Sequence, residues 1–482
     1  MTLGAMRSVA MDRTRFSRGS GVYPIHVLAA VTAVLCGASL AEEQHLFSST
    51  PWSAMLLGLL LSAYLAITLS IEPAVLFTSW LFAAAFFQQS ALGSMVGKDL
   101  GRVVYVYPPL VLALLLVVRG FSRPLRGVDF LPAVYFAYVL VSAGLTSNQP
   151  QSFRSDVHQL YVTVGIGIIL YYFVALGPSI PRLGQRLSAA LIGSGSVVAA
   201  MAIVEGLTGW NLWHDTFYWR GHGISRAVAT LANPALLGTF LGMALAFAIA
   251  ILLWNGPESL KRLSKAFIVL SLPALYFTYT RGPMLAVALV GVGMVVLATR
   301  ARWPSLLLLA TAVAALFVLW SSFTSSSVYQ SRFGNTHNIQ TRVVLQKASL
   351  TLASQRPIVG WGYGSFNTVK NSANLQSEDP SALAYNTSHN TFLTVLVELG
   401  LAGLALFLLP WFIIGRRAIS AARRATSERW LFAGVVGALA IYIISASTYD
   451  ARFFSFVPAL PWILLGVARR TLGEEETQSG SH

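Results

Sequence analysis

The chain is dominated by apolar segments that are long enough to cross a bilayer. One crossing needs about 17 to 25 predominantly apolar residues in helical form. Such segments lie near residues 23–41, 51–71, 73–89, 103–118, 128–146, 159–176, 189–207, 228–254, 266–280, 283–299, 304–320, 391–414, 430–447 and 453–468. Hydrophobic residues make up 55% of the sequence and charged residues only 11%, unlike a soluble domain. We therefore expect an all-α, polytopic transmembrane bundle of about 12 to 14 spans embedded in a lipid bilayer.

The basic residues predict the orientation of the bundle. The formal net charge is +15, but most of it flanks the apolar segments, which is typical of topogenic charge rather than of nucleic-acid binding. The clusters are Arg119, Arg123 and Arg126; Arg182 and Arg186; Lys261, Arg262 and Lys265; Arg300 and Arg302; and Arg416, Arg417, Arg423, Arg424 and Arg429. If the N-terminus lies in the cytoplasm, all five clusters fall on the cytoplasmic side of the membrane. We expect both termini in the cytoplasm and no nucleic-acid partner.

This topology divides the chain into five parts. They are a cytoplasmic tail at 1–22, transmembrane helices at 23–320, an external loop at 321–390, transmembrane helices at 391–468 and a cytoplasmic tail at 469–482. The first apolar run is interpreted as a retained helix, because many more spans follow it. A single cysteine, Cys36, allows no intrachain disulfide.

The external loop is too long to be a mere connection. Residues 339–353 have apolar positions at helical spacing, which predicts an amphipathic helix at the membrane surface. The final stretch from Glu474 to His482 is polar, and we expect it to be disordered.

Arginines beside the external ends of spans are candidates for binding an anion. Arg281 precedes Gly282 and Pro283 between two apolar segments, and Arg226 precedes another. Arginine stays charged and offers phosphate oxygens a planar fork of donors. Arg220 and His222 lie nearby among Trp210, Trp213, Tyr218 and Trp219, which favours a basic, aromatic mouth for phosphate and sugar rings. The alternatives are a topogenic role, contact with lipid headgroups, or, for Arg281, an ion pair with an acid such as Glu205.

His389 is the candidate for proton transfer, because imidazole titrates near neutrality. It lies between Ser388 and Asn390 where a helix begins, and Ser or Asn at that position can cap the free N–H groups of the helix. Capping is also the alternative role for His389. Asn390 is a further candidate for substrate binding. Glu398 lies on the opposite helix face from His389, and we expect it to form an ion pair with another helix instead.

Glycines precede this helix in the segment that contains Gly360, Gly362 and Gly364. Glycine visits positive φ cheaply, so Gly362 and Gly364 are candidates for bringing backbone N–H groups to a ligand. The chain has no D-x-D motif and no glycine-rich phosphate loop followed by Lys and Ser or Thr. We therefore expect neither a metal nor another cofactor.

Four motifs in order resemble the O-antigen ligase and polymerase superfamily of bacterial membrane glycosyltransferases. They are RAVATLANP, TYTRG, RPIVGWGYGSF and SHNTFLTVLVELGLAG, and the resemblance covers residues 190–445. It implies a GT-C-like helical bundle in the bacterial inner membrane with a periplasmic active site. One departure is Ala235, which follows Asn233–Pro234 where the family often has a second Asn.

The resemblance also implies a reaction. A glycan moves from undecaprenyl diphosphate to a sugar hydroxyl of lipid A–core without a metal and with inversion. Arg226 and Arg281 bind the diphosphate, and His389 serves the acceptor hydroxyl. A polymerase joining lipid-linked repeat units is the alternative within the class. A flippase of lipid-linked sugars is the alternative from another class, although polar residues crowd one membrane face and no internal repeat is evident.

The charge of the external loop favours a ligase over a polymerase. The loop carries Arg332, His337, Arg342, Lys347, Arg356 and Lys370 but only two acids, Glu378 and Asp379. This excess suits an acceptor rich in phosphate or acidic sugar, while attraction to anionic headgroups is the alternative.

Overall fold

The regular structure of the described residues is helical. The computed structural model describes residues 72–86, 98–146, 157, 159–210, 226–231, 233–299, 337–373, 382, 386–424, 427–454 and 456–479. The apolar segments near 23–41, 51–71 and 304–320 lie outside these ranges, as do Arg220 and His222.

Thirteen α-helices run through these ranges. They are α1 (Pro73–Ala83), α2 (Lys98–Arg119), α3 (Gly127–Thr146), α4 (Ile166–Leu176), α5 (Leu183–Thr208), α6 (Pro234–Leu253), α7 (Glu258–Phe277), α8 (Arg281–Thr299), α9 (His337–Gln355), α10 (Phe366–Val369), α11 (Thr391–Arg423), α12 (Arg429–Ala446) and α13 (Phe456–Ser479). A π-helical turn, Tyr161–Gly165, leads into α4, and 3-10 turns occupy Lys370–Ala373 and Ala451–Phe453.

Every apolar segment predicted within these ranges overlaps a helix, although the bounds differ by several residues near 228–254 and 266–280. Six helical stretches in the described residues are long and apolar enough to cross a membrane. They are Gly127–Thr146, Leu183–Thr208, Pro234–Leu253, Arg281–Ala298, Thr391–Arg423 and Arg429–Ala446. The protein is therefore a polytopic helical membrane protein, and the predicted fold class is confirmed.

The chain divides into two compact units. One comprises Met1–Leu76 and Leu114–Gly120, and the other comprises Phe77–Ala113 and Phe121–His482. In the first unit, the described residues are 72–76, which include the beginning of α1, and 114–120, which include the end of α2. The second unit contains everything described below.

Helix α6 is the centre of the second unit. It packs against α5, α7, α8 and α12, while α4 packs on α13 and α11 packs on α3. Asn233 caps α6 by accepting a hydrogen bond from the Ala235 N–H at 2.8 Å, and Pro234 follows at the first helical position. A Cβ at Gly242 would lie 2.7 Å from Val287 and 2.9 Å from Ile441. Glycine there lets α6 approach α8 and α12 closely.

One end of the bundle carries a network of buried arginines. Arg469 binds the buried Asp129 with two hydrogen bonds of 3.0 and 2.9 Å, and Tyr171 donates to the same carboxylate at 2.7 Å. Arg470 donates to the carbonyl oxygens of Val174 and Pro178. The same end of the bundle carries Arg123, Arg126, Arg182, Arg417 and Arg424. We call it the basic end of the bundle.

The expectation of a disordered stretch from Glu474 is wrong for its first six residues. Helix α13 continues to Ser479. Glu474 pairs with Arg123, and Glu476 pairs with Arg126 at 2.6 Å. These ion pairs attach the last turns of α13 to the segment before α3.

Candidate functional site

Three of the sequence motifs adjoin one short segment at the end of the bundle opposite the basic end. This junction segment, Thr448–Arg452, follows α12 and runs into the 3-10 turn before α13. The Tyr449 hydroxyl lies 3.0 Å from the Thr239 hydroxyl of α6. Thr391, the first residue of α11, donates to the Tyr449 carbonyl at 3.2 Å and accepts from the Ala451 N–H at 3.0 Å. The junction segment thus joins the beginnings of α6 and α11.

The beginning of α8 also lies against the junction segment. A Cβ at Gly282 would overlap the side chain of Thr448, so only glycine permits this approach. Arg281 is the first residue of α8 and is exposed. The N-terminal end of a helix favours an anion, because its free N–H groups carry partial positive charge.

Arg226 is held beside the same turn. Its Nε donates to the Thr278 carbonyl at 3.1 Å, and the Ala227 N–H donates to the Phe277 carbonyl at 2.9 Å. Since Thr278 precedes Arg281 by three residues, the two arginines predicted to bind diphosphate lie at one turn, between α7 and α8.

The carboxylate of Glu205 shapes the chain that follows Arg226. It is buried and accepts the N–H groups of Val228 at 2.9 Å and Ala229 at 2.7 Å. These two bonds hold Ala229 in the left-handed region, with φ of 48°. Glu205, considered above as a partner of Arg281, therefore supports the backbone next to Arg226.

His389 lies in a strained position immediately before α11. Its φ is 55°, in the left-handed region that non-glycine residues rarely adopt. Asn390 caps the helix as predicted by accepting the N–H groups of Phe392 and Leu393 at 3.0 and 3.1 Å. The Ser388 hydroxyl donates to the Asn390 carbonyl at 2.8 Å. Because Asn390 satisfies the cap, His389 is not needed for that role.

The surroundings of His389 keep it neutral at physiological pH. Burial lowers its pKa, the Arg342 cation lowers it further and Asp450 raises it, with a net value of about 4. Arg342 belongs to α9, and Asp450 belongs to the junction segment. The imidazole is thus in its proton-accepting form at pH 7.

A buried network of three charged side chains links the junction segment to α11. Arg452 donates to Glu398 at 2.8 Å and to the two oxygens of Asp450 at 3.2 and 3.1 Å. The predicted ion pair of Glu398 is confirmed, although its partner lies in a turn rather than on a helix. The buried Tyr363 lies beside this network, and burial raises the pKa of its hydroxyl to about 12.

The predicted glycine-containing segment enters a break in α11. Gly400 has φ of 65° and ψ of −170°, which interrupts the helix and frees carbonyl groups of the preceding turn. The N–H groups of Trp361 and Gly362 donate to the carbonyls of Val397 at 2.9 Å and Glu398 at 2.7 Å. The Gly364 N–H donates to the Glu398 carboxylate at 3.0 Å. The N–H groups of Gly362 and Gly364, predicted to face a ligand, therefore bind α11.

Residues 266–408 match the model of a protein family described as O-antigen ligase. The chain carries an O-antigen ligase domain. The resemblance found in the motifs is thereby confirmed over this stretch of the chain. No curated protein matches the chain. The matched domain contains Arg281, His389 and Glu398, while Arg226 and the junction segment lie outside it.

Sequence reasoning did not select Arg342, Asp450 and Arg452 as candidate site residues. Asp450 and Arg452 occur in the stretch TYDARF between two apolar segments. Ionisable groups at the edge of spans are functional candidates by default, and that signal was available. The electrostatic interaction of Arg342 with His389 joins residues that are 47 positions apart, and no local pattern predicts it.

A cavity lies at the basic end, away from these residues. Its volume is about 910 Å³, and its lining includes Arg182, Arg417, Arg424 and Glu475. None of the candidate site residues of the ligase domain lines it. Chemistry at the junction segment is therefore separate from this cavity.

Proposed function

We propose that this protein is a glycosyltransferase of the bacterial inner membrane that transfers a glycan from undecaprenyl diphosphate to a sugar hydroxyl of lipid A–core. The observation that carries the proposal is the arrangement at the junction segment. Arg226 and Arg281 lie at the turn between α7 and α8, and His389 immediately precedes α11. The membrane-spanning helices and the O-antigen ligase domain support a lipid-linked donor and a membrane-anchored acceptor.

Arg226 and Arg281 bind the donor diphosphate in this proposal. Guanidinium groups form paired hydrogen bonds to phosphate oxygens, and the N-terminal end of α8 adds partial positive charge. Charge develops on the diphosphate as its bond to the anomeric carbon breaks. Donors already in place stabilise that charge without reorganisation, which lowers the barrier.

His389 accepts the proton of the acceptor hydroxyl. The hydroxyl oxygen attacks the anomeric carbon and forms the new glycosidic bond, while the carbon–oxygen bond to the diphosphate breaks. The diphosphate leaves with the electron pair, and the hydroxyl proton passes to an unprotonated ring nitrogen of His389. A single displacement of this kind inverts the anomeric centre. A bound diphosphate anion raises the pKa of His389 and strengthens it as a base when donor is present.

The reaction is proposed to need no metal, since two arginines supply the positive charge. Within the described ranges, no three His, Cys, Asp or Glu side chains are grouped to hold a metal ion. The junction segment faces the periplasm and both termini lie in the cytoplasm, in keeping with the basic residues at the other end.

The test is transfer by purified protein in proteoliposomes. Labelled lipid-linked glycan and rough lipopolysaccharide are supplied together in the presence of excess chelator. We expect label on the lipopolysaccharide at the rate seen without chelator. A ladder of lengthening lipid-linked chains would instead identify a polymerase, and movement of unchanged donor between leaflets would identify a flippase. Activity restored only by magnesium or manganese would contradict the absence of a metal.

A further inference from the structure

We propose that residues Arg356–Gly360 form a re-entrant elbow whose tip, Pro357–Val359, lies in the hydrocarbon of the membrane against its acyl chains. The elbow follows α9 and belongs to the segment that the sequence assigns to an aqueous external loop. The way in which this loop meets the bilayer does not depend on the proposed reaction.

The elbow is attached far inside the bundle. The Tyr138 hydroxyl of α3 donates to the carbonyls of Val359 at 3.4 Å and Leu399 at 3.0 Å. The N–H groups of Leu401 and Ala402, just beyond the break in α11, donate to the carbonyls of Pro357 at 2.8 Å and Ile358 at 3.0 Å. Two membrane-spanning helices therefore hold the tip.

The depth of these contacts follows from the helical rise of about 1.5 Å per residue. Measured from the basic end, Tyr138 is twelve residues beyond Arg126, or about 18 Å along α3. Ala402 is fourteen residues from Arg416, which adjoins Arg417 of the basic end, and this corresponds to about 21 Å along α11. Both distances are shorter than the hydrocarbon thickness of about 30 Å. The tip is thus level with the membrane interior.

The chain returns from this depth to the end of α3. A Cβ at Gly362 would overlap the side chain of Thr146, the last residue of α3, so Gly362 is level with that residue. Tyr138 and Thr146 are separated by about 12 Å along the helix. Gly362 follows Val359 by three residues, and a chain of that length can span at most about 10 Å, which allows most of this climb.

The chemistry of the tip suits hydrocarbon rather than water. Ile358 and Val359 are 68% and 60% exposed, and Leu401 of α11 beside them is 57% exposed. Yet all four carbonyls from Arg356 to Val359 accept hydrogen bonds from the protein. Apolar side chains facing outward, with backbone oxygens satisfied inside, are what a lipid environment requires.

The residues that flank the tip are typical of a membrane interface. The Arg356 guanidinium lies 4.2 Å from the centre of the Trp361 ring, and the Trp361 Nε1–H donates to the Leu352 carbonyl at 2.9 Å. Tryptophan is enriched at headgroup level, and arginine can keep its charge there while its aliphatic stem contacts lipid. Arg356 and Trp361 thus flank the tip with side chains that extend towards the headgroups.

Spin labels in a Cys36→Ser background test the elbow. Labels are attached to Ile358→Cys and Val359→Cys in nanodiscs, and their collisions with oxygen and with a water-soluble nickel complex are compared. Val134→Cys on α3 serves as the lipid control, and Asn371→Cys, exposed in the same loop, serves as the aqueous control. We expect both elbow labels to favour oxygen as Val134 does.

Preference for the nickel complex, as at Asn371, would overturn the elbow, and so would shielding of both elbow labels from both reagents. A measurement without labels compares Val359→Asp with Asn371→Asp. The Tm in nanodiscs should fall for Val359→Asp and stay unchanged for Asn371→Asp. Equal Tm values for the two variants would also contradict the proposal.

Discussion

At the scale of single residues, His389 has two charged neighbours that change its pKa in opposite directions. Burial and the Arg342 cation lower the pKa, Asp450 raises it, and the result is about 4. A base of this pKa stays unprotonated well below neutrality. The profile of kcat/KM should therefore be flat from about pH 8 down to about pH 5.5 and fall only at lower pH.

Arg342→Ala tests the cause of this profile. Removing the cation raises the pKa of His389, so the acidic fall in kcat/KM should move to higher pH. Lys347→Ala is the matched control, because Lys347 is also an exposed cation of α9 but is not among the groups that shift His389. An acidic fall that stays in place in Arg342→Ala would show that the cation does not act on the catalytic group.

Arg281 is expected to need its guanidinium and not only its charge. Arg281→Lys keeps the charge but loses the planar fork, so kcat/KM should fall about 10-fold to 100-fold, the cost of one charge-assisted hydrogen bond. Arg262→Lys, an exposed arginine of α7 on the side with the other basic residues, should leave transfer unchanged. Wild-type kcat/KM in Arg281→Lys would mean that Arg281 serves topology alone.

Among the elements, α11 depends on a break that only glycine allows. The φ and ψ of Gly400 lie in a region that is essentially closed to other residues, and a Cβ there would overlap the Ile358 carbonyl. Gly400→Ala should lower the free energy of unfolding by about 1 to 3 kcal/mol. The matched control is Gly415→Ala on the same helix, where a Cβ meets nothing within 4 Å.

Thermal unfolding in detergent separates the two glycine variants. Gly400→Ala should lower the Tm, whereas Gly415→Ala should keep or raise it, because alanine favours helix by up to about 1 kcal/mol. Equal Tm values in the two variants would mean that the break is not required for stability.

The helices themselves were predictable because apolar runs and basic clusters are local signals. The predicted span 128–146 became Gly127–Thr146, and the helix predicted over 339–353 became His337–Gln355. The Asn390 cap followed from the same kind of local chemistry. Two features escaped prediction, namely the break at Gly400 and the helical extension from Glu474. Both depend on partners far away in the sequence.

The individual residues of the candidate site were predictable from the sequence, but the contacts that bring them together were not. The arginines and the histidine occur in recognisable motifs, but the junction segment that joins the beginnings of α6, α8 and α11 has no motif of its own. Glu398 was expected to form an ion pair, yet its partner Arg452 lies 54 positions away. Long-range contacts of this kind arise from packing of the whole bundle and leave no periodic trace in the sequence.

At the scale of the whole molecule, the two ends of the bundle should face opposite sides of the membrane. In a Cys36→Ser background, Asn371→Cys should react with an impermeant thiol reagent added to the outside of the inner membrane. Ser122→Cys and Ser420→Cys, near the basic end, should react only after the membrane is opened. Labelling of all three from one side would contradict the topology on which the proposed function depends.

The most direct test of the central claim compares wild type with His389→Ala in the reconstituted transfer assay at neutral pH. Donor binding is measured in parallel with the same lipid-linked glycan. If His389 removes the proton of the acceptor hydroxyl, kcat should fall about 100-fold or more while the Kd for donor stays unchanged. Wild-type turnover by the His389→Ala variant would contradict the account.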